Sequence, residues 1–157
     1  MEPVRGDEAT VDPAETTLAT RGRPLAEVSL AAALSVLPRP QVAWVGDGDR
    51  VVAGGAAATV TATGVDRFER LRDAGEALFA GRTVGSDLPH VARPRLFGGF
   101  AFHDDDKDDG QSPWEGFPDA RFSLPAVQVV AGEDETGAWL VANATGPNAE
   151  RRASERL

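Results

Sequence analysis

Short runs of β-branched and apolar residues recur along this chain, and glycine, proline or aspartate separates one run from the next. The runs stand at 41–45, 50–54, 58–64, 95–102, 121–130 and 138–144. Runs of this length between turn residues are typical of strands, and the Gly46–Asp49 stretch predicts a hairpin turn. The run RLFGGFAF at 95–102 is apolar almost throughout, which predicts a strand buried on both faces.

Two segments have helical periodicity instead. The first lies between Pro24 and Pro38, where Ser29 can act as the N-cap, and its apolar face comprises Leu30, Ala33, Leu34 and Leu37. The second runs from Asp66, as a cap, to Ala80, and Gly81 ends it. Its apolar face comprises Phe68, Leu71, Gly75, Leu78 and Phe79.

These elements do not show the regular strand–helix alternation of a doubly wound fold. We therefore predict an α+β domain over residues 24–146, with a largely antiparallel sheet of about six strands and two helices. Residues 1–23 lack hydrophobic periodicity and are expected to form a disordered leader. Residues 82–94 are expected to be a loop. Residues 147–157 are expected to begin a linker or a polar helix without a hydrophobic face.

The charge balance excludes one class of partner. The chain has 25 acidic and 16 basic residues, a formal net charge of -9, and Lys107 as its single lysine. Such a surface repels phosphate backbones, so we expect no nucleic-acid partner. Heavy aspartate use with almost no lysine is typical of proteins from salt-loving organisms, in which salt screens the repulsion.

The expected location is the cytoplasm, without a membrane partner. The chain has no cysteine, which excludes disulfides and thiolate-bound metals. No apolar run approaches the ~20 residues of a membrane-spanning helix. The acidic N-terminus lacks the apolar segment of a secretory signal.

An acidic loop carries the spacing of a calcium site. Counted from Asp104, carboxylates stand at positions 1, 3, 5 and 12, the last being Glu115. Position 6 is Asp109, where the sharp turn of such a loop requires glycine, and the flanking segments are predicted strands. Two interpretations stay open, a specific calcium site and a solvated, salt-adapted loop, and the second is favoured.

No other group of side chains forms an evident site. His103 and Lys107 stand among aspartates, which favour the protonated forms and oppose metal ligation and general-base catalysis. The triplet at 143–145 matches a glycosylation acceptor, but no secretory signal precedes it. The glycines at 46 and 48 lack the third glycine and the following helix of a dinucleotide loop. We therefore assign no catalytic, cofactor-binding or metal-binding residue.

Several segments, taken in order, resemble the N-terminal half of isochorismate synthases of the menaquinone pathway, within the chorismate-utilising enzyme superfamily. They are QVAWVGDGDRVVAGGAAATVTATG, DRFERLRDAGEALF, RPRLFGGFAF and PWEGFPDARFSLPAVQVV. The likeness extends from Gln41 to Ala144. Its most specific pieces are the segment at 97–102, the Trp114-x-Gly116-Phe117-Pro118 stretch and Leu124-Pro125.

The resemblance implies an enzyme that interconverts chorismate and isochorismate, with a lysine base, glutamates and Mg²⁺. Those groups belong to the C-terminal half of the family's fold, so none is transferred to this chain, and its partner would be a missing C-terminal catalytic region. The piece alone is expected to be inactive. Other interpretations are an anthranilate, aminodeoxychorismate or salicylate synthase, or a non-catalytic binding or scaffold module.

If a catalytic region normally covers this sheet, part of the sheet's apolar surface is expected to be exposed in this chain. The candidates are Leu96, Phe100, Val127 and Val129, which lie in the two most apolar runs. Burial of all four would favour a self-sufficient module.

Overall fold

One seven-stranded sheet organises the part of the chain that the computed structural model describes, residues 17–26, 28–46, 48–102, 117–132 and 137–157. The strands are β1 (Leu18–Leu25), β2 (Gln41–Val45), β3 (Asp49–Ala62), β4 (Arg82–Val84), β5 (Phe97–Phe100), β6 (Ala120–Gly132) and β7 (Ala138–Thr145). The helices are α1 (Leu30–Val36), α2 (Arg67–Ala80), α3 (Ala149–Ser154) and a 3-10 turn at His90–Ala92.

The strand order is β2-β3-β6-β7-β1-β4, and β5 also pairs with β6. The β1–β4 pair is parallel, and the other pairs are antiparallel. The predicted α+β class with a largely antiparallel sheet is therefore confirmed.

Strands β3 and β6 form the long central pair of the sheet. They pair from Asp49 opposite Gly132 to Ala62 opposite Ala120, with a bulge between Ala56 and Ala58. The sequence predicted separate runs at 50–54 and 58–64, and that division is wrong. The intervening glycines and alanines have low strand propensity, but the bulge allows one strand to continue past them.

Beside the bulge, β6 lacks one ladder donor and β3 binds the chain before β2. Gly55 has a positive φ of 66°, and its N–H donates to the carbonyls of Pro38 and Pro40, at 3.0 and 2.9 Å, on the side of β3 that faces β2. On β6, Pro125 lies opposite Ala56 and has no N–H to donate. The chain before β2 is thereby bound to the middle of β3.

Strand β6 changes its second partner at the same level. Its first part pairs with β5, with Phe97 opposite Ser123, and its last part pairs with β7, beginning at Val127. Between these ladders the side-chain amide of Asn143 donates to the Pro125 carbonyl at 2.9 Å. A side chain thus fills a position where no strand neighbour reaches.

Helix α1 forms as predicted, and it covers one face of the central strands. The Ser29 hydroxyl accepts from the Ala32 N–H at 3.4 Å, which confirms the N-cap. All four predicted apolar residues of the helix belong to the cluster around Val52 and Val129. The neighbouring Val51 packs with Val130 on the opposite face, because successive strand residues alternate.

Helix α2 also forms as predicted, with one error on its apolar face. Leu71, Gly75 and Leu78 are buried, and Leu78 packs with a core cluster of β1, β3 and β6. Phe68, expected on the same face, is 54% exposed. Asp66 precedes the helix but makes no side-chain capping hydrogen bond.

The predicted leader is wrong for residues 18–23, which belong to β1. This strand pairs with β7 over all of its eight residues, and Leu18, Ala19 and Thr20 are buried. Its arginines, glycine and proline hide the alternation of a strand, and the pairing that stabilises it comes from residues more than a hundred positions away. The part of the leader before residue 17 lies outside the described residues.

Two further segments carry more structure than predicted. Part of the expected loop at 82–94 forms β4 and the 3-10 turn. The segment expected to lack a hydrophobic face forms α3, and Ala149 and Ala153 are buried against Ala19 and Ala144. Alanines give a weak hydrophobic signal in the sequence, but their small side chains allow close packing of helix on sheet.

The prediction that RLFGGFAF is buried on both faces is wrong. Among the described strands, β5 pairs only with β6, and Phe100 is 41% exposed. Phe100 is thus the exposed one of the four apolar candidates, whereas Val129 is buried and Leu96 and Val127 are half-buried. An apolar composition thus did not show how much of this strand other described residues cover.

The two glycines of β5 differ in a way that mutation can test. A Cβ at Gly98 would lie 2.0 Å from the Arg121 carbonyl oxygen, whereas one at Gly99 would meet nothing within 4 Å. We expect Gly98→Ala to lower the free energy of unfolding by about 1–3 kcal/mol, because the β5 and β6 backbones must separate. Gly99→Ala is the control, with an expected change within about 0.5 kcal/mol. Equal losses of unfolding free energy for the two variants, measured by urea denaturation, would contradict the close approach of the β5 and β6 backbones at Gly98.

Candidate functional site

A groove of about 310 Å³ opens over the central strands, at the lower end of the range for small-molecule sites. It is lined by Pro40, Val42, Ala53, Gly54, Gly55, Phe97, Gly98, Arg121, Ser123 and Pro125. Glycines and prolines leave this space open because they project little side chain into it. The residues come from β2, β3, β5 and β6 and from the turn before β2.

Two polar side chains line the groove, those of Arg121 and Ser123. The Ser123 hydroxyl lies 3.3 Å from that of Thr59 on the neighbouring strand. An arginine stays protonated at neutral pH and is a poor proton donor or acceptor, and among the described residues no carboxylate or imidazole lines the groove. The described lining can therefore hold an apolar body with an anionic group, but it includes no acid–base pair.

An ion pair holds the chain before β5 in place. Arg95 donates to Asp49 at the start of β3 at 2.9 Å, and its other terminal nitrogen donates to the Val91 carbonyl at 2.7 Å. Both partners are partly buried. One guanidinium thus joins β3, the 3-10 turn and the approach to β5, which fixes one wall of the groove.

The glycine-rich stretch beside this ion pair is a hairpin turn. The Gly46 N–H donates to the Asp49 carbonyl at 3.1 Å, and β3 follows in antiparallel pairing with β2. A strand stands where a dinucleotide loop requires a helix. The prediction of a hairpin is confirmed.

A buried network of polar side chains joins β1, β6 and β7. Asn143 is fully buried, accepts from the Thr20 hydroxyl at 2.7 Å and donates to the Pro125 carbonyl. The Thr145 hydroxyl donates to the carbonyl of Ala57, at the bulge, at 2.7 Å. Asn143 is inaccessible as a glycosylation acceptor, and its amide serves the sheet.

Gln128 differs from these residues. It is 0% exposed, and neither its amide nitrogen nor its amide oxygen has a hydrogen-bond partner. It lies opposite Ala53 on β3 and Val141 on β7. A buried amide without partners costs stability, so the Gln128 side chain destabilises the centre of the sheet. The sequence carried no signal of this unpaired amide, because a single glutamine in an apolar run is ordinary.

Two arginines near α3 donate hydrogen bonds to backbone carbonyls of β7. Arg152 donates to the Thr145 carbonyl at 2.9 Å, and Arg156 donates to the Asn143 carbonyl. Burial lowers the pKa of Arg156, and the neighbouring charge of Arg152 adds to the effect. These guanidiniums bind α3 to β7 by satisfying strand carbonyls.

The metal candidates do not form a described site. The acidic loop from Asp104 to Glu115, with His103 and Lys107, lies outside the described residues. His90 is exposed at the 3-10 turn. Within the described ranges, no three His, Asp or Glu side chains come together as metal ligands. The Mg²⁺ that the family resemblance implies finds no fitting set of ligands among these residues.

Comparison with known families places the chain. The family model described as chorismate binding enzyme matches residues 17–156. The chain therefore belongs to the chorismate binding enzyme family, a class that acts on chorismate. No match was found among curated proteins. None of the helices in the described ranges is long and apolar enough to cross a membrane.

The two buried amides predict opposite mutational effects. Gln128→Met removes the unpaired amide at similar volume and should raise the free energy of unfolding by about 1–3 kcal/mol. Asn143→Leu is the matched change at a satisfied amide. It should lower that free energy by about 1–3 kcal/mol, because the Thr20 hydroxyl and the Pro125 carbonyl lose their partner. Chemical denaturation measures both free energies. A lower free energy of unfolding for Gln128→Met would contradict the claim that the unpaired amide destabilises the fold.

Proposed function

We propose that this chain is the N-terminal portion of an isochorismate synthase, the enzyme that converts chorismate to isochorismate for menaquinone synthesis. The observation that carries the proposal is spatial. Three segments that resemble these enzymes, Gly54–Ala58, Phe97–Phe100 and Leu124–Pro125, lie on neighbouring strands and supply half of the residues that line one groove. Resembling segments that lie together on adjacent strands support the proposal more strongly than segments scattered over the surface.

In this proposal the chemistry belongs to a C-terminal catalytic region. Conversion of chorismate to isochorismate needs a base to activate water, an acid to help the hydroxyl leave, and Mg²⁺ to bind the substrate carboxylate. The groove offers a guanidinium and a hydroxyl, neither of which is a suitable base at neutral pH. The described residues therefore serve as the scaffold against which that region is assembled.

Two other functions compete with this one. Anthranilate, aminodeoxychorismate and salicylate synthases use the same substrate, and the family match covers chorismate enzymes as a class. A non-catalytic module is the alternative from another class. The choice of isochorismate synthase over these relatives rests on two segments that resemble that enzyme, Gly-Gly-Ala-Ala-Ala at 54–58 and Trp-x-Gly-Phe-Pro at 114–118.

The proposal predicts no turnover by the chain alone and a defined product from the complete enzyme. Purified chain incubated with chorismate and Mg²⁺ should convert no more chorismate than a sample without protein. Chromatography and mass spectrometry measure the conversion in both samples. The chain co-expressed with an isochorismate synthase catalytic region should yield isochorismate.

Each other outcome of this experiment has a distinct meaning. Isochorismate formed by the chain alone would refute the placement of the catalytic groups. Anthranilate, aminodeoxychorismate or salicylate as the product of the natural full-length enzyme would assign it to the corresponding relative. A full-length protein that leaves chorismate unchanged and binds another polypeptide would favour the non-catalytic module.

A further inference from the structure

The described part of this chain and the remainder carry opposite net charges. The described residues include fourteen arginines and nine carboxylates, a formal net charge of +5, whereas the whole chain carries -9. The excess of negative charge therefore belongs to residues outside the described ranges. Opposite charges on one chain attract each other over about 10 Å at an ionic strength of about 0.1 M.

Five arginines concentrate positive charge around α3. They lie on β1, on α3 and directly after α3: Arg21, Arg23, Arg151, Arg152 and Arg156. Ala19 packs against Ala149 and Ala153. The two arginines of β1 follow Ala19 at every second residue, so they lie on the side of the sheet that α3 covers. The same segments contain two acidic residues, Glu150 and Glu155, which leaves a net charge of +3. We refer to the five arginines as the α3 arginine surface.

Contacts among the described residues hold this surface in place without neutralising it. Arg152 and Arg156 donate to backbone carbonyls of β7, which carry no charge, and Arg23 donates to the Leu157 backbone oxygen at 2.8 Å. The other two arginines pair with the two glutamates. A guanidinium has five N–H donors, and each of these backbone bonds uses one. Arg23 and Arg152 are exposed, so their remaining donors can reach an anionic partner.

The N-terminal segment, residues 1–16, joins the sheet beside this surface. The Thr17 carbonyl accepts from the Gly146 N–H at 2.9 Å, at the turn that precedes α3. Arg152 binds the preceding carbonyl, that of Thr145. The segment has five acidic residues and one arginine, a net charge of -4. Sixteen residues can span about 50 Å, whereas a six-residue helix such as α3 is about 9 Å long.

We propose that residues 1–16 bind the α3 arginine surface of the same chain through their carboxylates. Two observations select this occupant, its opposite charge and its attachment at the turn before α3. Attachment raises its effective concentration above that of a separate partner. The acidic stretches at 104–115 and 133–135 follow β5 and β6, so neither joins the sheet at this turn. While bound, the segment keeps other anions from the arginines. The inference does not depend on which chorismate enzyme the chain belongs to.

A spin label tests this contact, because the chain has no cysteine and a single one can be introduced. Ala9→Cys carries a nitroxide into the acidic segment, where it broadens the NMR signals of nearby amides. At about 0.1 M KCl the amides of Arg23 and of residues 151–156 should lose about half of their intensity or more. At about 1 M KCl the screening length falls to about 3 Å, and the intensities should return.

Neutral variants of the labelled chain supply the matched control. One variant removes four negative charges from the segment, by Asp7→Asn, Glu8→Gln, Asp12→Asn and Glu15→Gln, and its α3 amides should stay sharp at low salt. The other removes four charges elsewhere, by Asp104→Asn, Asp105→Asn, Asp106→Asn and Asp108→Asn, and its α3 amides should broaden as in the parent. Near-UV circular dichroism checks that the three chains share one fold at the salt concentration used.

A mixed sample distinguishes a contact within one chain from a contact between chains. Isotopically labelled chain without the nitroxide, mixed with unlabelled chain that carries it, should show no broadening. Broadening in the mixture would assign the contact to a second copy and overturn the proposal. The proposal would also fail if the α3 amides stay sharp in the parent at low salt, or if their broadening survives neutralisation of the segment.

Discussion

The pairing of β3 with β6 is the interaction on which the rest of this structure depends. Its twelve register pairs run from Asp49–Gly132 to Ala62–Ala120. Helix α1 packs on one face of this pair and the 3-10 turn on the other, and β2, β5 and β7 all attach to its edges. The bulge opposite Pro125 interrupts the ladder, and the side chains of Asn143 and Thr145 bind to backbone carbonyls beside it. The same irregularity leaves room for the groove.

The parts of the fold that the sequence predicted are those set by local signals. The β2–β3 hairpin, α1 with its Ser29 cap and α2 with its apolar stripe each follow from residues near one another in the chain. Strand β1 was missed because its partner β7 is distant in the sequence. Helix α3 was missed because it packs through alanines, which give a weak hydrophobic signal. The exposure of β5 among the described residues was also missed, because composition reports hydrophobicity and not how many elements pack around a strand.

The sequence indicated the candidate site only through its resemblance to chorismate enzymes. The glycines at 54, 55 and 98 carried the likeness to chorismate enzymes, and the fold brings them together at one groove. Arg121 and Ser123 gave no separate signal, because a single polar residue in a strand is ordinary. The unpaired amide of Gln128 is likewise visible only after folding, since burial and the absence of partners are properties of the tertiary structure.

Hydrogen–deuterium exchange resolved to single amides tests most directly whether the β3–β6 pair is the base of the fold. The amides exchanged only by global unfolding should lie in β3 and β6, around Val51–Ala53 and Val129–Val130, because these residues are buried and paired on both strands. Amides of β4 and α3 should exchange faster, through local opening. Slowest exchange in α2 or α3, with β3 and β6 opening first, would contradict this account.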